Sequence, residues 1–391
     1  MSATDGIVIA GGGLAAQRCA ETLRRLGHEG PIRIVCAEPR LPYNRPPLSK
    51  EVLLDEAAEA KLQFRAADWF ADKGLEVMLG VAASGLDAEA RTLALSDGSV
   101  LPYEQLVIAT GARPRVLPAF AGHANVETLR TLEDSRRLRV LLESGGRLLI
   151  IGAGFIGQEV AAAARAHGVS VTVIESAPLP MHGLLGREIG SWFAAVHREE
   201  GVEIILGQSV AQVHGSGRVE EVTLDDGRRI ATDHVLVAVG VDPDLGWVAQ
   251  SGLPTGGIPV DAGGRSALPA VHAAGDAAAF HDAFLGRHAL SGHWEAAGRQ
   301  GTAVAHALVG SSPPPAALSS FWSDQYGMRI NYLGHAALAD AVAIDGDPAQ
   351  RDFVATYTRG GRPIAALSVG RPQALGELRD LLAYMTEAPA A

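Results

Sequence analysis

Two segments of this chain repeat one pattern, and that repeat limits its fold more than any other feature. Ile7-Val8-Ile9-Ala10 is a short, β-branched apolar run that leads into Gly11-Gly12-Gly13-Leu14-Ala15-Ala16 and then a helical pattern. Arg147-Leu148-Leu149-Ile150-Ile151 leads in the same way into Gly152-Ala153-Gly154-Phe155-Ile156-Gly157, with helical spacing to about His167. A buried strand feeding a glycine turn and a helix opens a βαβ unit. The first glycine makes the tight turn, the second lets backbone approach a pyrophosphate, and a third small residue lets helix and strand pack closely. Gly11, Gly13 and Ala16 take these places in the first copy; Gly152, Gly154 and Gly157 take them in the second. The free N–H groups that open each helix then point at phosphate. In each copy the next strand ends in an acid, Glu38 or Glu175, which can accept hydrogen bonds from a ribose diol. The first turn alone would suit an ordinary βα connection. Two fingerprints together predict two dinucleotides on an α/β chain.

A length of 391 residues suggests about two or three domains. The 46 glycines suit many tight turns, and 47% hydrophobic with 20% charged residues is a globular composition. A net charge of −11 argues against a nucleic-acid partner. It leaves an acidic protein partner open, because docking depends on local charge. Cys19 and Cys36 are the only cysteines and form no C-x-x-C pair, so they read as small core residues and suggest a reducing cytoplasm. Met1-Ser2-Ala3-Thr4-Asp5 has neither a basic start nor a long apolar run, so no signal peptide is expected. No apolar run reaches the ~18 residues of a membrane span.

Between the two fingerprints lies Pro42-Tyr43-Asn44-Arg45-Pro46-Pro47-Leu48-Ser49-Lys50, a proline-rich, non-helical loop with two cations, Arg45 and Lys50. Short strands follow, with a hairpin at Ser96-Asp97-Gly98-Ser99. Leu106-Val107-Ile108-Ala109 ends in Thr110-Gly111-Ala112-Arg113-Pro114, whose small residues let backbone pass a bound cofactor. After the second fingerprint, His234 to Gly240 closes an inserted domain much as Leu106 to Gly111 enters it. Val271 to Ala274 is a buried strand ending in Gly275-Asp276. A helix is expected from Trp294 to Val309, then a linker at Ser311 to Pro315, where proline forbids helix. The last ~70 residues, from Phe321 on, mix strand patterns and a late helix, as in a small α+β domain.

Three segments carry a resemblance: PYNRPPLSK at Pro42 to Lys50, GAGFIGQEVA at Gly152 to Ala161, and FWSDQYG at Phe321 to Gly327. With the first glycine turn, ATGARPR and AAGD, the chain resembles the FAD-dependent NADH:ferredoxin reductases, the putidaredoxin reductase-like family that serves P450s and ring-hydroxylating dioxygenases. The resemblance implies a glutathione-reductase-like fold with two Rossmann-type dinucleotide-binding domains and a small α+β C-terminal domain. It divides the chain into a discontinuous FAD domain at 1–112 and 243–320, an NADH domain at 113–242 and a C-terminal domain at 321–391. It implies hydride transfer from NADH to FAD, then single electrons to a [2Fe–2S] ferredoxin of a P450 or Rieske oxygenase. A monomer or weak homodimer would fit.

Carried over residue by residue, Arg45 and Lys50 would contact FAD, against the plain reading of solvated loop charges. Lys50 would sit near flavin N5, and Glu159 would orient it and help stabilise reduced flavin; the plain reading of Glu159 is a surface carboxylate. Asp276 would contact the ribityl chain, or simply cap the next segment. Phe155 reads either as a cover over the flavin or as a core aromatic. Trp322 reads either as packing beside the isoalloxazine or as an electron carrier. Ala109, Thr110, Gly111, Arg113, Ile156, Gly240, Gly275, His293 and Trp294 complete the expected cofactor contacts. Glu175 suits the diol of NADH and repels a 2′-phosphate, and Ser176 and Ala177 offer no arginine to bind one. No metal ligand set is expected. The chain departs from the family pattern at Leu179, where relatives carry arginine, and in Leu290 to Gly301, where arginine, glutamate and asparagine are lost. Those departures keep a second reading open: an apoptosis-inducing-factor-like flavoprotein that responds to NADH with weak turnover and acts by docking. A flavin monooxygenase would lack PYNRPPLSK and FWSDQ in this arrangement. Disulfide reductases would need the dithiol that is missing here.

Overall fold

The computed structural model describes residues 6–315 and 317–386, excluding the side chains at 385 and 386. In chain order it forms β1 (Ile7–Ala10), α1 (Leu14–Arg25), β2 (Ile32–Cys36), β3 (Leu75–Leu79) and β4 (Gln105–Ile108). Then come α2 (Leu132–Ser144), β5 (Arg147–Ile151), α3 (Phe155–Ala166), β6 (Ser170–Glu175), α4 (His182–Glu199), β7 (Glu203–Leu206) and β8 (His234–Val237). The chain returns through β9 (Val271–Ala273) and α5 (Trp294–Leu308). It ends in β10 (Ser320–Gln325), β11 (Met328–Gly334), β12 (Ala341–Asp347), β13 (Asp352–Arg359), β14 (Arg362–Val369) and α6 (Ala374–Leu382).

The repeat in the sequence is a repeat in space. β1 is central in a parallel sheet of order β9-β4-β1-β2-β3. β5 is central in a second parallel sheet, β7-β6-β5-β8, extended by the short strand Val126–Glu127. β1 is apolar throughout, and β5 from Leu148 on, because each sheet is covered on one face by helices and on the other by antiparallel strands that carry Leu93 and Leu95 or Val222 and Leu224. Ile9 and Ile150 are fully buried. A three-stranded antiparallel meander interrupts each unit before its fourth strand, at 83–102 and at 210–231. Where the chain leaves the first unit and re-enters it, Ala112–Pro114 and Val241–Pro243 pair antiparallel. Arg115 N–H to Gly240 O (3.0 Å) and Asp244 N–H to Gly111 O (2.9 Å) tie the two crossings together.

The C-terminal segment is an antiparallel sheet of order β10-β11-β14-β13-β12, with α6 packed behind it. Its other face shares a core with α4. Leu185, Ile189, Phe193 and Val196 of that helix pack with Ile330, Tyr332, Phe353 and Leu367. The helical spacing of those four residues is legible, but which sheet they cover is not.

Candidate functional site

The two glycine turns behave as their spacing requires. Gly11 (φ +126°) and Gly152 (φ +101°) adopt backbone that side chains rarely tolerate, and an added Cβ would lie 2.0 Å from Ala109 O or 2.6 Å from Ala238 O. At Gly13 and Gly154, which precede α1 and α3, an added Cβ would meet nothing within 4 Å. Neither helix has a side-chain cap or an acid in its first turn. Their opening N–H groups are therefore free to receive anions. α2 makes the contrast, since its N-terminus is closed by a capping box of Thr131 and Asp134. Close helix-strand packing falls to Ala16, fully buried, and to Gly157, whose Cβ would lie 2.3 Å from Gly152 O.

Both uncapped ends open into one cleft of about 460 Å³. It gathers most of the residues expected from the sequence. The first unit contributes Gly13, Arg45, Lys50, Ala109, Gly111, Gly275 and Asp276. Gly154, Phe155, Ile156, Glu159 and Gly240 come from the inserted unit, and His293, Trp294 and Trp322 also line the cleft. Gly11, Ala16, Glu38, Thr110, Gly152, Gly157 and Glu175 do not line the cleft. Thr110 Oγ donates to Asp244 O (2.8 Å), a bond across the crossing between units. Arg113 differs from expectation: it is exposed on the surface of the crossing strand, where alternation turns its side chain away from the cleft.

The strand-end acids are already partly engaged. Glu38 accepts from Tyr43 OH (2.6 Å) and pairs with Arg45 (2.7 Å). Glu175 accepts from the N–H groups of Ala153 (2.7 Å) and Ala177 (2.8 Å). A carboxylate offers about four acceptor positions, so Glu38 keeps room for both hydroxyls of a diol, while Glu175, which Ser176 Oγ also approaches at 3.3 Å, keeps room for one unless that hydroxyl turns away.

The proline-rich loop is fixed from outside. Pro46 and Pro47 start a 3-10 turn at Pro46–Ser49. Tyr43 OH accepts from Leu132 N–H (2.9 Å), and Ser135 Oγ donates to Leu48 O (2.7 Å), so α2 anchors the loop. Trp294 Nε1 donates to Asn44 Oδ1 (2.8 Å) from the start of α5. Held this way, the Lys50 ammonium lies 2.9 Å from Glu159 Oε2, with side-chain exposures of only 10% and 3%. Glu159 is thus not a surface carboxylate. Asp276 is not a helix cap either; it pairs with Arg130 at 2.9 Å.

The sequence assigns no role to Arg130, nor to Tyr43, Ser49 and Ser323 within their motifs. Arg130 lines the cleft, and its backbone N–H is held by Asp134 Oδ2 (3.0 Å). The only local signal is its place before the Thr131 capping box. Phe155 lines the cleft and stands edge-on to Phe321 at 4.4 Å. His293 also packs on Phe321 (4.9 Å), and burial pushes its pKa down. Trp322 stands edge-on to Trp294 (5.5 Å), with the Arg329 guanidinium over its ring at 5.2 Å.

Cys19 and Cys36 are both buried and free, and burial pushes each thiol up to about 12. Neither lines the cleft. A buried thiol of that kind is inert, so thiol-disulfide exchange has no agent here. Among the described residues no cluster of His, Cys, Asp and Glu could hold a metal, and no helix is long and apolar enough to cross a membrane.

Residues 5–301 match the family model described as pyridine nucleotide-disulphide oxidoreductase, and residues 320–391 match a reductase C-terminal domain. The ferredoxin–NAD(+) reductase component of the anthranilate 1,2-dioxygenase system of Burkholderia cepacia is 37% identical over 97% of this chain and 94% of its own. Putidaredoxin reductase of Pseudomonas putida is 33% identical over 98% of this chain and 92% of its own. In the solved covalent putidaredoxin reductase–putidaredoxin complex, the matching chain superposes with a TM-score of 0.93 at 33% identity, covering 99% of this chain and 94% of that one. The chain therefore belongs to the pyridine nucleotide-disulphide oxidoreductase family and carries a reductase C-terminal domain.

Proposed function

We propose that this protein is an NADH-dependent ferredoxin reductase with FAD as its resident cofactor. Bound flavin supplies the two-to-one-electron conversion that a hydride donor and an iron–sulfur acceptor require. The observation that carries the reading is one thiol-free cleft entered by two uncapped, glycine-led helix N-termini. Disulfide chemistry is the alternative that a cleft of this family most readily suggests, and it lacks its thiols here.

The residues fit the two nucleotides. The open space at Gly13 and Gly154 admits a phosphate where a side chain would not. Glu38, Arg45, Arg130 and Asp276 surround the FAD side, and Glu175 takes the NADH ribose. Ser176 and Ala177, the residues next after Glu175, offer no arginine, which favours NADH over NADPH. Lys50, fixed by Glu159, holds a positive charge at the inner wall of the cleft, where it offsets negative charge that develops on hydride arrival. Phe155, Phe321 and His293 pack together as an aromatic cluster that also lines the cleft. The working domains are 1–112 with 243–320, 113–242, and 321–391. The acceptor in this reading is an acidic [2Fe–2S] ferredoxin feeding a P450 or Rieske oxygenase in the cytoplasm, and the reductase acts as a monomer or weak homodimer.

The test is spectroscopic. Purified protein should show an oxidised flavin spectrum that bleaches within seconds under anaerobic NADH and much more slowly under NADPH. Bleaching over hours, with a persistent charge-transfer band, would instead favour the docking flavoprotein. One observation leans toward that second reading: Gly292 leaves open space in the cleft wall where relatives carry a carboxylate.

A further inference from the structure

Glu159 is held by more than Lys50. Its Oε2 accepts from Ser49 Oγ (2.5 Å) as well as from the ammonium, and its Oε1 accepts from Ser323 Oγ (2.6 Å). Ser323 lies on β10, so the C-terminal sheet reaches into the cleft wall. Behind it the bonds continue. Gln325 Nε2 donates to Ser323 Oγ (3.0 Å). His197 Nε2, on α4, lies 3.1 Å from Gln325 Oε1 and 3.0 Å from Gln158 Oε1. Tyr326 OH lies 2.7 Å from His197 Nδ1.

The network assigns its own directions. Gln158 Nε2 donates to Ala153 O (2.9 Å) and Gln325 Nε2 to Ser323, so both amides turn carbonyl oxygens toward His197. Two acceptors at Nε2 require the proton there, which leaves Nδ1 to accept from Tyr326. Every donor from Tyr326 through His197, Gln325 and Ser323 then points toward the Glu159 carboxylate. Such a chain polarises itself, each bond strengthening the next. Burial supports the assignment, since it pushes His197 down to about 4 and keeps the ring neutral near pH 7. The charged groups facing the His197–Tyr326 end are Glu200, Arg165 and Arg351; Lys50 is the charge at the other end.

Tyr326 gives an independent sign. It sits at φ +50°, beside Gly327 at φ +73°, in the two-residue turn between β10 and β11. Asn-Gly would serve this turn without strain, and a bulky residue there is uncommon. What tyrosine adds is a hydroxyl that reaches a buried imidazole. Strain of this kind persists where the surroundings over-determine it, often at functional sites.

We propose that Tyr326, His197, Gln325 and Ser323 form a positioning chain that fixes the Glu159 carboxylate, and through it the Lys50 ammonium, for hydride arrival in the cleft. The C-terminal domain thereby becomes part of the hydride-accepting site and not only a lid beside it. The proposal rests on the NADH-dependent reductase reading.

The test uses the FAD-loaded protein in anaerobic stopped-flow over a range of NADH concentrations. Ser323→Ala should lower the limiting rate of flavin bleaching about tenfold while half-saturation by NADH moves less than about twofold. Ser323→Thr, which keeps a hydroxyl, should recover most of the rate. Tyr326→Phe supplies a second readout that needs no turnover. In 15N-histidine NMR, His197 should read as the neutral Nε2–H tautomer, and the Nδ1 resonance should shift when the tyrosine hydroxyl is removed. A Ser323→Ala protein that melts earlier yet bleaches at the wild-type rate would overturn the proposal alone. So would a His197 found protonated or as the Nδ1–H tautomer. Failure of the wild-type protein to bleach with NADH would overturn the reductase reading, and this proposal with it.

Discussion

Gly11 and Gly13 stand two residues apart in one turn, yet alanine at each should do opposite things. At Gly11 the added Cβ would lie 2.0 Å from Ala109 O and 2.4 Å from Ala109 C, at φ +126°. Those atoms are backbone, tied to β1 by Ala109 N–H to Ala10 O at 2.7 Å. They would have to retreat by about 1 Å. Overpacking of that order costs ~1–3 kcal/mol and the disallowed backbone region ~1–3 kcal/mol more. At Gly13 the backbone is extended (φ −92°) and the Cβ enters empty space. That space is where a phosphate facing the α1 N-terminus has to lie. Gly13→Ala should therefore leave the melting temperature of the apoprotein unchanged. It should weaken FAD binding by ~1–3 kcal/mol, about 5- to 150-fold in Kd. Gly11→Ala should lower the melting temperature with and without FAD. Circular dichroism melts of the apoproteins and flavin fluorescence titrations separate the two effects. A Gly13→Ala protein that binds FAD like wild type, or whose apoprotein melts as early as Gly11→Ala, would refute the assignment of that space to phosphate.

Other outcomes follow from the same geometry. Lys50→Met leaves the nearly buried Glu159 without its cation and should slow bleaching by NADH on the order of 10²-fold, read by stopped-flow. Glu175→Gln should lower kcat/KM for NADH about tenfold or more with little change for NADPH, because a charged acceptor is replaced by a neutral one. His272, on β9, is 5% exposed and neither ring nitrogen has a hydrogen-bond partner. Burial pushes it down to about 4 from an ordinary 6.5. The unfolded chain therefore binds the extra proton between those values, and stability is lost as pH falls through that window, by about 3 kcal/mol. His272→Leu should raise the melting temperature, and more at pH 5 than at pH 8; an equal gain at both would contradict the linkage.

Much of this was legible in the sequence because it rests on local rules. Glycines at turn positions, β-branched strands before them and acids at strand ends follow from short-range sterics. They placed Gly13, Gly154, Glu38 and Glu175 correctly relative to their strands and helices. The two crossings were also visible, as apolar strands ending in small residues. What could not be read was convergence. Ser323 is one hydroxyl in an alternating strand, and nothing within 20 residues tells that it meets Glu159. α4 has an ordinary amphipathic pattern, but its apolar face turned out to share a core with the C-terminal sheet. Arg113 and Arg130 show the same limit from both sides. The first sits inside a recognisable motif and points to solvent. The second sits in none and pairs with Asp276 in the cleft.

The central claim is that hydride electrons leave this protein one at a time to an iron–sulfur acceptor. The most direct measurement is anaerobic. The FAD-loaded protein is reduced with one equivalent of NADH, mixed with a [2Fe–2S] ferredoxin, and the ferredoxin spectrum is followed. The account expects two ferredoxins reduced per NADH, in the same time range as catalytic cytochrome c reduction through ferredoxin. Flavin that stays reduced in the presence of oxidised ferredoxin, or that passes electrons to cytochrome c equally well without it, would contradict the account.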